Sequence, residues 1–165
     1  MRRTERHSVA GGNSLWQIYR ILPFSKVFKN TLVAVLARYI PLFPLKNWMY
    51  RRLLGMEVGE GTAIAFFVVV DLLYPERICI GRNTIIGYNT TILTHEYLIS
   101  EYRIGDVQIG DDVMVGANTT ILPGVRIGTG AVVGAGSLVN RDIPAGSFAA
   151  GNPVRIIREG QKTEQ

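Results

Sequence analysis

The chain is poor in the residues that most often carry covalent or metal chemistry: its 165 residues include one cysteine and two histidines. A single cysteine, Cys79, excludes an intramolecular disulfide, and its place one residue before Ile80 suggests an outward-facing packing or surface role. Acids are nearly missing from the first third. Residues 1–56 hold ten Lys/Arg and only Glu5, a net of +9, whereas residues 57–165 hold eight Lys/Arg and twelve acids, a net of −4. The overall charge of +5 therefore belongs to the N-terminal segment. No apolar run there reaches the roughly 18 residues that a membrane helix requires, because Arg38, Pro41 and Pro44 interrupt the longest one. A secretory leader is also missing from the reading, since MRRTER runs into polar HSVAGGNS. A cytoplasmic location is the default expectation. The length and the 47% hydrophobic content suit one main domain with a small appendage.

What the chain does have is a six-residue unit repeated without interruption from Ile109 to Pro144, each copy opening on an aliphatic residue: Ile109, Val115, Ile121, Ile127, Val133 and Val139. A period of six fits neither a helix nor a flat sheet and implies a coiled solenoid. Glycine follows at Gly110, Gly116, Gly128 and Gly134, where free choice of φ is expected to turn a corner. The fifth place holds Val113, Thr119, Val125, Ala131, Ser137 and Ile143, all small or β-branched, as a tight bend requires. The register extends upstream through Val58, Ile64 and Val70, and through Ile80, Ile86 and Ile92. Two breaks interrupt it. Ten residues containing Tyr74 and Pro75 separate Val70 from Ile80, which implies one irregular corner. After Ile92 the fifth place holds Glu96, and the next clean unit begins at Ile109, so a loop from about Glu96 to Gln108 is expected to leave the solenoid. Such insertions often build a binding face.

The basic segment reads as helical. Ser14 can cap a short helix carrying Leu15, Ile18, Tyr19 and Leu22 and ending at Pro23. Ser25 can cap a second, with Val27, Phe28, Thr31, Leu32, Val35, Leu36, Tyr39 and Ile40 on one stripe. A third can run from Leu45 to Leu54. These helices fit either a cap over the unpaired strand edges of the solenoid end or an interfacial patch on anionic lipid, and the two are compatible. The divisions read from sequence are a flexible tail over 1–13, the basic helical segment over 14–56, the solenoid over 57–158 with its loop at 96–108, and a C-terminal tail over 159–165.

The repeat, together with ILTHEYLISEYRIGDVQIGDDVMVGANTTILPGVRIGTGAVVGAGSLVNRDIPAGSFAAGNPVRIIRE, resembles the hexapeptide-repeat acyltransferases, and within them the maltose, galactoside and nodulation-factor O-acetyltransferases. The resemblance covers about Val58 to Arg158. It implies a mainly β fold, a left-handed parallel β-helix with a short helical N-terminal segment; handedness comes from the resemblance alone, since right-handed crossovers are the usual preference. It further implies an acetyl-CoA-dependent transferase, a homotrimer with the site between subunits, a sugar or glycan hydroxyl as acceptor, and neither metal nor nucleic acid.

His95, in THE at the point where the repeat is abandoned, matches the general base of these enzymes. One histidine is enough: a thioester is already activated, and imidazole titrates close enough to neutrality to take the hydroxyl proton and return it to the departing thiolate. A backbone N–H at a coil corner is the expected oxyanion stabiliser. Glu96 could tune the imidazole, although adjacent residues on an extended chain face opposite ways. His7 reads as a solvated tail residue. The resemblance places coenzyme A along a groove lined by Ala117 and Ala135, with Asn140, Arg141, Arg155 and Arg158 at its phosphates, where a guanidinium fork suits phosphate geometry. Asp71 stands where related enzymes carry an acid that touches the sugar. The asparagine that accompanies it in those enzymes is missing from AIAFFVVV, which argues against a simple galactoside or maltose acceptor and for a cell-envelope glycan. Transfer to the amino group of an amino sugar is the main alternative, and a non-catalytic scaffold a weaker one. A γ-class carbonic anhydrase shares the fold but needs three histidines on zinc, and this chain has two.

Overall fold

The computed structural model describes residues 2–160. Its body is a parallel β-helix whose coils each contribute a short strand to three sheets. The first coil supplies β2 (Glu57–Val58), β3 (Ala63–Ile64) and β4 (Val69–Val70), and the second β5 (Ile78–Ile80), β6 (Ile85–Ile86) and β7 (Thr91–Ile92). After a hairpin of β8 (His95–Tyr97) and β9 (Glu101–Ile104), the third coil supplies β10 (Val107–Ile109), β11 (Met114–Val115) and β12 (Thr120–Ile121). The fourth supplies β13 (Arg126–Ile127), β14 (Val132–Val133) and β15 (Leu138–Val139), and β16 (Phe148–Ala150) with β17 (Arg155–Arg158) closes the far end. The sheets run β2-β5-β10-β13, β3-β6-β11-β14-β16-β17 and β4-β7-β12-β15. All ladders within them are parallel except the last, between β16 and β17.

The repeat produces this shape because its aliphatic residue and its fifth place both point inward. Val58, Ile80, Ile109 and Ile127 stack in the first sheet, Ile64, Ile86, Val115 and Val133 in the second, and Val70, Ile92, Ile121 and Val139 in the third. None is more than 7% exposed, so each contributes about 1.5–3 kcal/mol of burial. Fifth-place hydroxyls are also buried, and they are satisfied by carbonyls: Thr84 Oγ1 donates to Gly110 O at 2.9 Å and Ser137 Oγ to Gly134 O at 2.6 Å.

Glycine does a different job from the one its sequence position suggests. Gly59, Gly116 and Gly128 have ordinary φ, but a Cβ on any of them would lie 2.4 Å from a backbone nitrogen of the next coil, at Arg82, Ala135 and Ala145 respectively. The requirement is close approach. The left-handed residue falls two places later, at Gly61, Phe67, Asn83, Asn89, Asp112, Asn118, Gly124, Gly130, Gly136 and Gly146; apart from Phe67 these are asparagine, aspartate and glycine, which tolerate positive φ. Asparagine adds a ladder there, with Asn83 Nδ2 donating to Asp112 Oδ1 at 2.6 Å and Asn89 Nδ2 to Asn118 Oδ1 at 2.9 Å.

Helices cover the near end. A 3-10 turn over Ser14–Gln17 leads into α1 (Ile18–Ile21), followed by α2 (Phe24–Ala37) and α3 (Phe43–Leu53). Neither expected serine caps its helix: Asn13 accepts from Leu15 N at 2.9 Å, while Ser14 Oγ is drawn to Leu98 O and Pro23 precedes α2. Donors on α2 and α3 meet the carbonyls that the first coil leaves unpaired. Lys46, fully buried, donates to Ile64 O at 3.0 Å and Ala65 O at 3.1 Å; Asn47 donates to Thr62 O at 2.8 Å, Arg51 to Val58 O at 2.6 Å and Asn30 to Leu72 O at 2.9 Å. Burial lowers the pKa of Lys46. The buried face of α2 is Asn30, Val33, Ala34 and Ala37, small enough for close packing. The stripe of larger apolar residues read from the sequence faces the other way.

The first residues are a strand, not a free tail. β1 (Glu5–Ser8) pairs antiparallel with β9, Glu5 opposite Ile104 and Ser8 opposite Glu101. Ion pairs from Arg2 to Glu96 at 2.6 Å and from Arg3 to Asp142 at 2.9 Å fasten it to the body. His7 therefore stacks on Tyr102, with ring centroids 4.7 Å apart. The expected loop is this hairpin, and the solenoid resumes at buried Val107, two residues before Ile109. Of the C-terminal tail, residues 161–165 lie outside the described residues.

Candidate active site

The two breaks in the repeat fall on one edge of the prism. β4 and β7 are paired neighbours in the third sheet, and the chain leaves each of them toward the first sheet, through Asp71 and through Thr94-His95. The two irregular corners thus stack, and His95 Nδ1 lies 2.6 Å from Asp71 Oδ2.

Asp71 is fixed from below. Its Oδ1 accepts from Leu73 N at 2.8 Å and Tyr74 N at 2.9 Å, and its Oδ2 accepts from Thr94 N at 2.8 Å as well as from the imidazole. Burial pushes the carboxyl pKa up, but the hydrogen bond and attraction of His95, with the backbone donors at Tyr74 and Thr94, outweigh it and hold the group below the ordinary carboxylate range. An ionised carboxylate only accepts, so the proton of the pair sits on Nδ1 and the lone pair on Nε2. Nε2 is then the atom able to accept a proton. The imidazole side chain is 21% exposed and Asp71 wholly buried. The ring packs edge-on against Tyr97 at 5.4 Å and Tyr74 at 6.4 Å. Burial, then neighbouring phenols and carboxylates, push Tyr74 up to about 12. Tyr97 is also raised, by burial first, and its buried hydroxyl has no partner among the described residues.

This geometry changes the reading of Asp71. With no exposed side-chain surface and both oxygens occupied, it cannot touch an acceptor in this structure; it holds the histidine. The sequence offered one signal for that: Asp71 and His95 follow Val70 and Ile92, which occupy equivalent repeat positions. Glu96 points away and pairs with Arg2. Replacing Asp71 with Asn is expected to leave the fold intact at neutral pH while lowering turnover by up to about 10⁴-fold, the scale seen when the carboxylate that orients a catalytic histidine becomes an amide, because an amide no longer selects the Nδ1-protonated form. Since the folded pKa is depressed, the carboxylate contributes stability above its unfolded pKa and loses it as pH falls through the folded value. Thermal melts across acid pH should therefore show a steeper decline for the wild type than for Asp71→Asn.

The residues assigned to coenzyme A lie on other parts of the surface. Half-buried Ala117 and exposed Ala135 stack on successive coils at the corner between the second and third sheets, Gly136 N donating to Ala117 O at 2.8 Å. Asn140 and Arg141 leave β15 on the same edge as His95, two coils further on. Arg155 and Arg158 begin and end β17. All four are exposed, and the three arginines make no ion pair or side-chain hydrogen bond among the described residues. Clefts lined by Asn47, Arg51 and Thr62, or by Glu57, Arg77 and Cys79, do not reach His95. Cys79 itself donates to Glu57 at 3.2 Å; burial, then that carboxylate, raise its pKa to about 11, so the thiol stays protonated at neutral pH.

Comparison with known proteins agrees with this architecture. Residues 106–141 match the family model described as bacterial transferase hexapeptide (six repeats). The chain is 59% identical over its full length to "Putative acetyltransferase YvoF" of Bacillus subtilis (strain 168), covering 96% of that protein. It is 47% identical over 93% of its length to a Staphylococcus aureus (strain N315) protein with the same style of name, SA0717, of which it also covers 93%. Among solved structures, a hexapeptide-repeat acetyltransferase from Vibrio cholerae, VCA0836, superposes with a TM-score of 0.70 at 25% identity, over 82% of this chain and 90% of that one. A galactoside acetyltransferase in complex with coenzyme A superposes with a TM-score of 0.62 at 25% identity, over 82% and 80%. The chain belongs to the hexapeptide-repeat acetyltransferases, the left-handed parallel β-helix family that its repeated coils had outlined.

Proposed function

We propose that this acetyltransferase moves the acetyl group of acetyl-CoA to a hydroxyl of a sugar or cell-envelope glycan, with His95 as general base. The observation that carries the reading is the 2.6 Å pair between His95 Nδ1 and buried Asp71, which leaves Nε2 ready to take a proton. Nε2 removes the acceptor hydroxyl proton as its oxygen attacks the thioester carbonyl; the tetrahedral intermediate collapses, the C–S bond breaks, and the imidazolium proton goes to the departing thiolate. A positioned base of this kind supplies about 10²–10⁴-fold. Oxyanion stabilisation falls to a backbone N–H at a coil corner. That a structural relative is named a galactoside acetyltransferase and holds coenzyme A supports both the donor and the hydroxyl acceptor.

The donor is held by Asn140, Arg141, Arg155 and Arg158, with Ala117 and Ala135 beside its thin arm. His95 is partly exposed on the single chain, and enclosure of a thioester there comes from a neighbouring subunit in a homotrimer. Arg141→Ala and Arg155→Ala should each weaken coenzyme A binding about 10–100-fold, the loss expected for a charge-assisted phosphate contact, as read by calorimetric titration with the melting temperature unchanged. Product analysis after incubation with acetyl-CoA and a panel of sugars, amino sugars and glycans tests the acceptor. An alkali-labile ester supports the reading; an alkali-stable amide would transfer it to amino sugars, since His95 serves either acceptor.

A further inference from the structure

The helical segment has a second face with no partner in this chain. Along α2 and the turn that follows it, Phe24, Phe28, Leu32, Leu36 and Tyr39 lie between 51% and 62% exposed. At 100° per residue they fall on one side of the helix, opposite the Asn30, Ala34 and Ala37 face that rests on the solenoid. The surface continues into the preceding turn, because the Tyr19, Phe24 and Phe28 rings follow one another at centroid spacings of 5.6 and 5.9 Å. Beyond it stands Trp16, 88% exposed, and Trp48 on α3 is 50% exposed. An apolar area spread over three consecutive helices exceeds the scattered exposure that ordinary surfaces carry.

Its charge surroundings identify what it fits. Residues 6–56 contain eight Lys/Arg and no Asp or Glu. Lys29 and Arg38 flank the apolar stripe on its two sides by helical position, and exposed Arg20 sits beside Tyr19. Lys46 and Arg51 are engaged with the first coil, and Lys26 pairs with Glu76 at 2.7 Å; Arg20, Lys29 and Arg52 are exposed and occur in none of the ion pairs among the described residues. A face of this kind meeting its own copy would set like charges together. Apolar side chains with tryptophan and tyrosine at the margin, basic residues around them and no acid within the segment itself, the nearby Glu76 being paired with Lys26, are what an anionic lipid surface selects.

We propose that α1, α2 and α3 form a membrane-docking face that lies in the headgroup region of an anionic bilayer. No helix among the described residues is long and apolar enough to span one. With a length of about 21 Å, α2 would lie flat, its stripe some 5–10 Å into the interface. The cap thus has two faces, one closing the β-helix and the other holding the enzyme on the membrane. The proposal is independent of the acetyl-transfer reading.

Flotation of the full chain with vesicles of phosphatidylcholine alone, or of phosphatidylcholine mixed with phosphatidylglycerol, tests it. Co-flotation with the mixed vesicles is expected, weakened by high salt, with a blue shift of tryptophan emission. Leu32→Ser with Leu36→Ser, both exposed and so neutral for folding by melting temperature, should abolish it. Arg20→Glu with Lys29→Glu should lower vesicle affinity by about tenfold or more, at roughly 1 kcal/mol per basic residue near the surface. Absence of flotation at low salt would overturn the proposal, as would equal binding to neutral vesicles. So would a serine variant that keeps its vesicle binding but dissociates into smaller species by sedimentation equilibrium, which would make the face a contact between copies.

Discussion

Replacing Ile121 with Asp is expected to abolish the folded state. Ile121 is wholly buried on β12, with Ile92 of β7 on one side of it and Val139 of β15 on the other. Around it the interior offers aliphatic side chains stacked from coil to coil, and the buried hydroxyls of Thr90, Thr119 and Ser137 already donate to backbone carbonyls. An ionised carboxylate placed there is uncompensated, and even the neutral acid gives up its bonds to water at a cost of several kcal/mol. A domain of this size holds about 5–15 kcal/mol against unfolding, and the aspartate also removes the 1.5–3 kcal/mol that isoleucine burial contributes. Circular dichroism should show no cooperative melt. Ile121→Val, which changes volume by one methylene at the same place, should cost only about 0.5–1.5 kcal/mol and melt slightly early. An aspartate variant with unchanged melting temperature would mean that the coil does not turn Ile121 inward.

His95→Ala is expected to lower acetyl transfer by about 10²–10⁴-fold while leaving coenzyme A affinity where it was. The two effects separate because the polar partner of the His95 side chain is Asp71, not Arg141, Arg155 or Arg158. Removing the imidazole leaves Asp71 buried with three backbone donors, Leu73, Tyr74 and Thr94. Those bonds keep the carboxylate satisfied, so the loss of stability should be small beside the loss of turnover. A scaffold would show no turnover in either protein. A variant with intact binding and lost turnover places His95 in the chemistry.

The solenoid was legible because its determinants are local and repeated. Each aliphatic position from Val58 to Val139 decides its own direction, and a count of six within each coil keeps twelve such residues pointing inward. Less legible was anything set by a neighbouring coil. Gly116 looked like a turn residue, but the reason for it is the Ala135 backbone, nineteen positions away, and the left-handed residue is Asn118. On α2 the larger apolar residues formed the obvious stripe, yet packing against the first coil required the small Ala34 and Ala37 and the donor Asn30. β1 could not be seen in a polar start whose partner strand lies almost a hundred residues on, with Glu5 opposite Ile104.

The site divides in the same way. His95 announced itself by ending the repeat, since an interrupted pattern is visible without knowing what replaces it. Asp71 stood at the other break and was legible as a marked residue, but not as the partner of His95, because that depends on β4 and β7 lying side by side. Tyr74 and Tyr97 carried no signal of their own; the two corners bring them against the imidazole.

Acceptor-dependent release of the coenzyme A thiol from acetyl-CoA, followed in parallel for the wild type and His95→Ala, tests the central claim most directly. The account predicts release by the wild type that rises when a sugar or glycan acceptor is added, and release by the variant at least about 100-fold slower at saturating donor. Full turnover by His95→Ala on an acceptor that the wild type acetylates would contradict it, as would donor binding with no acceptor-stimulated release by the wild type across hydroxyl and amino acceptors.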